Sequence, residues 1–273
     1  MSMMELPADG RAAAALIALS ALAVCGAMLH EAWRGTTARR ARVTASLLVL
    51  LVLILAVLPA VATLVPGAPL AGGEVTGKGQ HIAVPPAAEG GVLLVVRGSL
   101  AKEGARGVLF SIAGMEEVAV GTLERTRAHV RTRRVRTHVF RERLGFHQRG
   151  VLPQGSRELR VERLEGDLEG PLRVELYRSN WPFPLLACAA GLSLLAAAVL
   201  QARLRLRRYA LWAGTALGMG LFTAGWGEPH ADIMFAAASL FMGFTLGAPL
   251  GWLAALALQA RSSPTARGKR RRS

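Results

Sequence analysis

Nine arginines and three histidines crowd into residues 125–149, RTRAHVRTRRVRTHVFRERLGFHQR, against one acid, Glu142. Guanidinium groups at this density are suited to anions, because each presents a planar fork of donors that matches phosphate or carboxylate. Arg125, Arg127, His129, Arg131 and Arg133 take alternate positions, with Thr126, Ala128, Val130 and Thr132 between them, the pattern of a strand with one cationic face. The phase slips at Arg133–Arg134, after which Arg134, Arg136 and His138 form the charged set and Val135, Thr137 and Val139 the apolar one. A slip of one residue in a period of two needs a bulge or a turn. With no Gly or Pro at the slip, a bulge is expected. Arg125, Arg127, Arg131, Arg133, Arg134 and Arg136 are the candidate anion-binding residues; the competing reading is a solvated sheet face, or an edge guarded by charge against strand pairing.

Other reactive groups are sparse. The stretch GEPHAD offers Glu228, His230 and Asp232, and carboxylate plus imidazole can ligate a divalent metal. Three residues in one short loop are weak metal candidates, since Asp232 equally suits the N-cap of the helix that follows. His129, His138 and His147 fall on different strand phases and do not point to a shared site. The sequence has no nucleophile elbow, no HExxH, no P-loop and no dinucleotide fingerprint, so neither a catalytic residue nor a cofactor is expected.

A third pattern is mechanical. Ser239, Gly243, Gly247, Gly251 and Ala255 recur every four residues, a ridge of small side chains that lets another helix approach closely, and Gly214 and Gly218 form a shorter version. The partner could be the helix containing Gly214 or another membrane subunit docking on the fifth helix. Pro59 and Pro249 are expected to kink their helices.

The elements that carry these residues follow from hydropathy. A chain of 273 residues that is 52% apolar yet carries 33 Lys and Arg must segregate the two. Five windows free of Lys, Arg, Asp and Glu, about 12–30, 43–65, 182–201, 209–226 and 233–260, are long enough to cross a bilayer core. The segment before the first contains Glu5 and Asp9 and lacks the basic n-region of an export signal, so the first window reads as a retained helix. Short cytoplasmic loops are enriched in Lys and Arg. Arg34, Arg39, Arg40 and Arg42, then Arg203, Arg205, Arg207 and Arg208, then the tail 261–273 all face the cytoplasm if the N-terminus lies outside. Trp33, Trp212 and Trp252 would then sit near the inner interface, and Trp181 and Trp226 near the outer one.

Residues 66–180 would lie outside the cytoplasm as one inserted domain. Short Val, Ile and Leu runs separated by Gly and Pro, and the alternation of Leu172, Val174 and Leu176 with Arg173, Glu175 and Tyr177, predict about eight strands in a two-sheet antiparallel sandwich, jelly-roll-like. The domain has no cysteine and must rely on its own core; Cys25 and Cys188 lie at different depths and are not expected to pair. Its net charge is +5, whereas residues 125–149 alone carry +8, so the rest of the domain stands at −3.

The expected fold is thus a polytopic α-helical membrane protein with an inserted all-β extracytoplasmic domain. The high Ala, Arg and Gly content fits a bacterial high-GC genome, placing the chain in a bacterial cytoplasmic membrane. The expected function is non-catalytic: a sandwich in the cell envelope that binds anionic lipid, acidic polysaccharide or an acidic protein partner. Nucleic acid is not an expected partner, because the basic stretch lies on the far side of the membrane. A transporter or channel subunit is the first alternative. The second is an enzyme acting on lipid-linked substrates, which the absence of intramembrane acids disfavours.

Overall fold

The computed structural model describes residues 10–65, 67–86, 90–100, 107–131, 136–143, 145–179, 182–229 and 231–262. Two units emerge, one made of residues 1–65 and 181–273, the other of residues 66–180. Arg133, Arg134, Trp181, His230 and the tail from 263 lie outside the described residues.

The first unit is helical: α1 (Gly10–Gly35), α2 (Arg39–Leu64), α3 (Phe183–Leu204), α4 (Tyr209–Trp226), α5 (Ile233–Met242) and α6 (Ala248–Ser262), with a π-helical turn, Gly243–Gly247, joining the last two. Four helices have the length and apolarity to cross a membrane: α1, α2, α3 and the continuous run Ile233–Ala260. The expected count of five is not matched on those criteria, because α4 falls outside the set. The physical reason is its position. It packs against α1, α2, α3, α5 and α6, and 11 of its 18 residues are buried. A helix enclosed by other helices needs small side chains for close approach more than an apolar surface. Gly220 illustrates this, since a Cβ there would stand 2.6 Å from the Ala56 Cα of α2.

The helix ends sort into two layers. In one, the Tyr209 hydroxyl at the start of α4 donates to the Ala45 carbonyl near the start of α2 at 2.7 Å, and Glu31 near the end of α1 meets the chain just before α4. In the other, Ala13 of α1, Ala60 of α2 and Ala236 of α5 share a buried cluster, and Phe183 at the start of α3 lies 6.5 Å from Trp226 at the end of α4. Helix α1 runs beyond the expected boundary to Gly35, so Glu31 and Arg34 belong to it. Helix α2 continues through Pro59 to Leu64. Cys25 and Cys188 are both free.

Among the described residues the second unit holds nine strands: β1 (Ala71–Val75), β2 (His81–Ala83), β3 (Gly90–Arg97), β4 (Gly107–Ala113), β5 (Ala119–Arg131), β6 (Arg136–Arg143), β7 (Gly145–Leu152), β8 (Glu158–Glu165) and β9 (Leu172–Arg178). They form two antiparallel sheets, one ordered β1-β9-β3-β7 and the other β2-β8-β4-β5-β6. The core lies between them: Val92, Leu94, Val96, Leu172, Val174 and Leu176 of the first sheet meet Phe110, Ile112, Leu123, Leu159 and Val161 of the second. Period-two alternation places these residues on inner faces. Phe110 and Phe146 cross the core edge to face at 5.2 Å. Their partner position must be Gly121, where a Cβ would come within 2.5 Å of the Phe110 Cζ and 2.7 Å of Phe146.

The slip at Arg133–Arg134, where a bulge is expected, lies outside the described residues, but the strands on either side of it are paired with each other. β5 pairs antiparallel with β6 from Glu124↔Arg143 to Arg131↔Arg136, so the chain reverses between them. A reversal inverts the residue count between the two strands, which accounts for the slip. The register does shift elsewhere, between Ser111 and Ile112 of β4 opposite β8.

Candidate functional site

The arginine-rich stretch becomes a two-stranded ribbon. Among the described residues, β4 pairs with β5 over Ala119–Glu124, and β6 pairs with it from Glu124 to Arg131. Among the described residues, 125–131 and 136–142 pair only with each other.

Register sorts the ribbon by face. Arg125, Arg127, His129 and Arg131 stand opposite Glu142, Phe140, His138 and Arg136. The other face carries Glu124, Thr126, Ala128 and Val130 opposite Arg143, Arg141, Val139 and Thr137. The first set continues the alternation of Ala119 and Leu123, which face the core, and not that of the exposed Val120 and Glu124. The cationic set thus lies on the inner phase of β5, past the point where β4 ends.

The outer face of the other sheet holds a second polar group. Leu93, Val95 and Tyr177 form a small buried cluster there. Around it, β3 sets Val95 opposite both His147 of β7 and Glu175 of β9, and Leu93 opposite Arg149 and Tyr177. The Glu175 carboxylate is 9% exposed; it accepts from the Tyr177 hydroxyl at 2.8 Å and from the Arg173 Nε at 2.9 Å. Burial, then the hydrogen bond to Glu175, pushes the Tyr177 phenol up to about 12. Burial lowers the Arg149 guanidinium from its ordinary value. With one oxygen held by a phenol and the other by a guanidinium, Glu175 is a fixed negative charge that fastens β9 side chains over an apolar patch. The alternation of Arg173, Glu175 and Tyr177 is visible in sequence; that their face is partly buried is not.

Within the helical unit, Gly214 and Gly218 of α4 meet Gly243, Gly247 and Gly251. A Cβ on Gly218 would stand 3.0 Å from the Gly247 Cα and 3.3 Å from the Gly243 Cα; one on Gly214 or Gly247 would collide with the other's carbonyl oxygen, and one on Gly251 with the Ala210 carbonyl oxygen. Ser239, at the head of the ridge, is fully buried, and the Thr223 hydroxyl of α4 donates to it at 3.1 Å. A four-residue repeat in an ideal α-helix drifts about 40° per step, so Ser239 to Gly251 would turn about 120° away from a straight partner. The π turn at Gly243–Gly247 absorbs one extra residue, about 100° of that rotation, and returns the ridge to α4. Pro249 follows immediately and has no N–H to offer the preceding turn.

Asp232 is engaged as an N-cap, accepting from the Phe235 N–H at 2.8 Å. Its proposed metal companion His230 lies outside the described residues, and among the described residues no group of three His, Cys, Asp or Glu side chains is placed to hold a metal. Two polar residues were not singled out by sequence reasoning. Glu31 accepts from the N–H of Arg207 and, at 2.6 Å, of Arg208; Gln201 accepts from the Ala210 N–H at 2.7 Å and donates to the Arg207 carbonyl at 3.3 Å. A lone acid just beyond a hydrophobic window was the available signal. Comparisons with protein-family models, with curated proteins and with solved structures give no match to this chain.

Proposed function

We propose that this chain is a multi-pass protein of a bacterial cytoplasmic membrane whose sandwich, residues 66–180, lies outside the cytoplasm and binds anionic groups of the envelope or an acidic protein partner, without catalysis. The observation that carries the reading is the β5–β6 register, which gathers Arg125, Arg127, Arg131 and Arg136 with His129 and His138 in one register set of a two-stranded ribbon. Guanidinium groups gathered in one register set suit an anion with several acceptor oxygens. Arg133 and Arg134, at the tip in sequence, extend the same charge. The sandwich in this reading is a jelly roll with β6 as an added strand, since all its connections except β4–β5 and β5–β6 pass from one sheet to the other.

Five crossings support the placement. Helices α3 and α5 both start in the layer where α4 ends, so α4 is the segment that returns the chain between them. An enclosed fifth helix, with the N-terminus outside and the C-terminus inside, puts both arginine-rich helix connections in the cytoplasm, as short loops prefer. A transporter or channel subunit is the second reading. The π turn favours it, because such turns often mark functional sites, although here the turn also serves packing on α4. Other membrane subunits would meet α5 and α6 on their exposed side, at Phe241, Leu246, Leu250 and Leu253.

The test uses the full chain in phosphatidylcholine nanodiscs, presented with phosphatidylglycerol vesicles, phosphatidylcholine vesicles and an immobilised acidic polysaccharide over a salt series. Binding to an anionic surface at low salt, released as the screening length falls from about 10 Å at 0.1 M to about 3 Å at 1 M, is the expected result. Equal retention on phosphatidylcholine, or none on either anion, overturns the reading.

A further inference from the structure

We infer that the helical unit carries its own phosphate site, between the end of α1 and the α3–α4 connection, occupied by the headgroup of an anionic phospholipid. A cavity of about 580 Å³ opens there, lined by His30, Glu31, Arg34, Arg205, Arg207 and Arg208 over a floor of Gly35 and Leu206. That volume lies within the range of small-ligand sites.

The cavity is built. Leu206 is 4% exposed and fills the space beside Gly35, where a Cβ would come 2.5 Å from its Cδ2. Arg205 adopts a left-handed conformation, φ 53° and ψ 37°, and is the only non-glycine with positive φ among the described residues. A non-glycine is held there only when its surroundings enforce it. The enforcement is visible: Gln201 ties both the Arg207 carbonyl and the Ala210 N–H, and Glu31 takes the two N–H groups of Arg207 and Arg208. The loop is therefore pinned from α1 and from α3.

Its charge is not balanced by the protein. The single acid is already spent on backbone donors at the start of α4. Among the described residues no acceptor pairs with the side chains of Arg34, Arg205, Arg207 or Arg208, and the lining sets these four guanidiniums against one carboxylate. Four guanidiniums around one cavity repel one another until an anion with several acceptor oxygens joins them, and phosphate matches the guanidinium fork. The source is lipid because the arginines stand where apolar helices α1 and α3 end, the depth of a headgroup, and basic pockets between transmembrane helices are sites of this kind.

The experiment measures retention of short-chain phosphatidylglycerol, phosphatidylcholine and inorganic phosphate by the full chain in neutral detergent, by native mass spectrometry and thermal shift. Phosphatidylglycerol should be retained and should raise the unfolding temperature, and phosphatidylcholine should not. Arg34→Gln with Arg207→Gln should weaken retention roughly 25-fold, about fivefold for each charge removed near the headgroup. Arg39→Gln with Arg40→Gln removes the same charge outside the lining and should leave retention unchanged. Glu31→Gln keeps an acceptor for the two N–H groups while deleting the negative charge, so retention should hold or rise. Equal retention of both lipids, equal weakening by the Arg39 and Arg40 pair, or loss of retention in Glu31→Gln overturns the site; an equal shift with inorganic phosphate overturns the lipid as its source.

Discussion

Replacing Gly247 with Ala perturbs the helical unit at its tightest point. The added Cβ would stand 2.9 Å from the Gly214 carbonyl carbon and 3.2 Å from the Gly218 Cα, and closer still to the Gly214 oxygen. Restoring ordinary contact means moving α4 and the π turn apart by more than about half an ångström, because both opposing atoms are backbone and cannot rotate away. Overpacking by one methyl group costs about 1–3 kcal/mol, and a chain of this size loses about 2–4 °C per kcal/mol. Gly247→Ala should therefore lower the unfolding temperature by roughly 2–12 °C, and Gly247→Leu should abolish the stable detergent-solubilised fold. The matched control is Gly191 of α3, where an added Cβ meets nothing within 4 Å. There the higher helix propensity of Ala should hold or raise stability, by up to about 1 kcal/mol. Thermal unfolding followed by intrinsic fluorescence in one detergent compares the two. Equal shifts at Gly247 and Gly191 would show that the ridge of small residues is compositional and does not seat α4.

Three further outcomes are expected. In a Tyr209→Phe background the remaining phenol, Tyr177, should ionise near 12 in an ultraviolet absorbance titration, and Glu175→Gln should bring it part of the way down, because burial is the larger cause and the hydrogen bond the second. A folded value above the ordinary 10 means this group's contribution to stability is complete below pH 10 and is lost as pH rises toward 12; a Tyr177 titration unmoved by Glu175→Gln would remove the pair. Gly121→Val should destabilise the sandwich by a few kcal/mol, since its Cβ meets both Phe110 and Phe146, whereas Gly155→Ala should act only through its left-handed backbone, φ 81°, with no neighbour within 4 Å; chemical denaturation distinguishes them. Reporter fusions after Ala71 and after Ser273 should signal opposite compartments, and identical signals would contradict five crossings.

Much of the architecture is legible because it rests on one-dimensional patterns. Apolar runs without charge mark the helices, and period-two alternation in residues such as Leu172, Val174 and Leu176 marks inner sheet faces, which the buried core bears out. What escapes depends on neighbours distant in sequence. Helix α4 reads in sequence as a fifth apolar window free of charge, yet its glycines and threonines answer to enclosure by other helices, information no window contains. The reversal between β5 and β6 escapes because Thr132, Arg133, Arg134 and Val135 include no turn residue, so a slip in phase looks like a bulge. Glu31 escapes because its role is set by Arg207 and Arg208, far along the chain. The four-residue spacing of Ser239, Gly243, Gly247 and Gly251 is readable, but the π turn that keeps it facing one partner is a property of the backbone.

Binding of an anionic surface by one face of the ribbon is tested most directly by comparing two sets of substitutions that remove charge from opposite faces. Arg127→Gln, Arg131→Gln and Arg136→Gln belong to one register set, and Arg141→Gln and Arg143→Gln to the other. Both are introduced into the full chain in phosphatidylcholine nanodiscs, and binding to phosphatidylglycerol vesicles is measured at low salt. At about 1 kcal/mol for each basic residue near an anionic surface, the first set should weaken binding by roughly a hundredfold, whereas the second should change it by only a few fold. Equal losses per charge from both faces would mean that net charge alone attracts the surface, and would contradict a binding face built by the β5–β6 register.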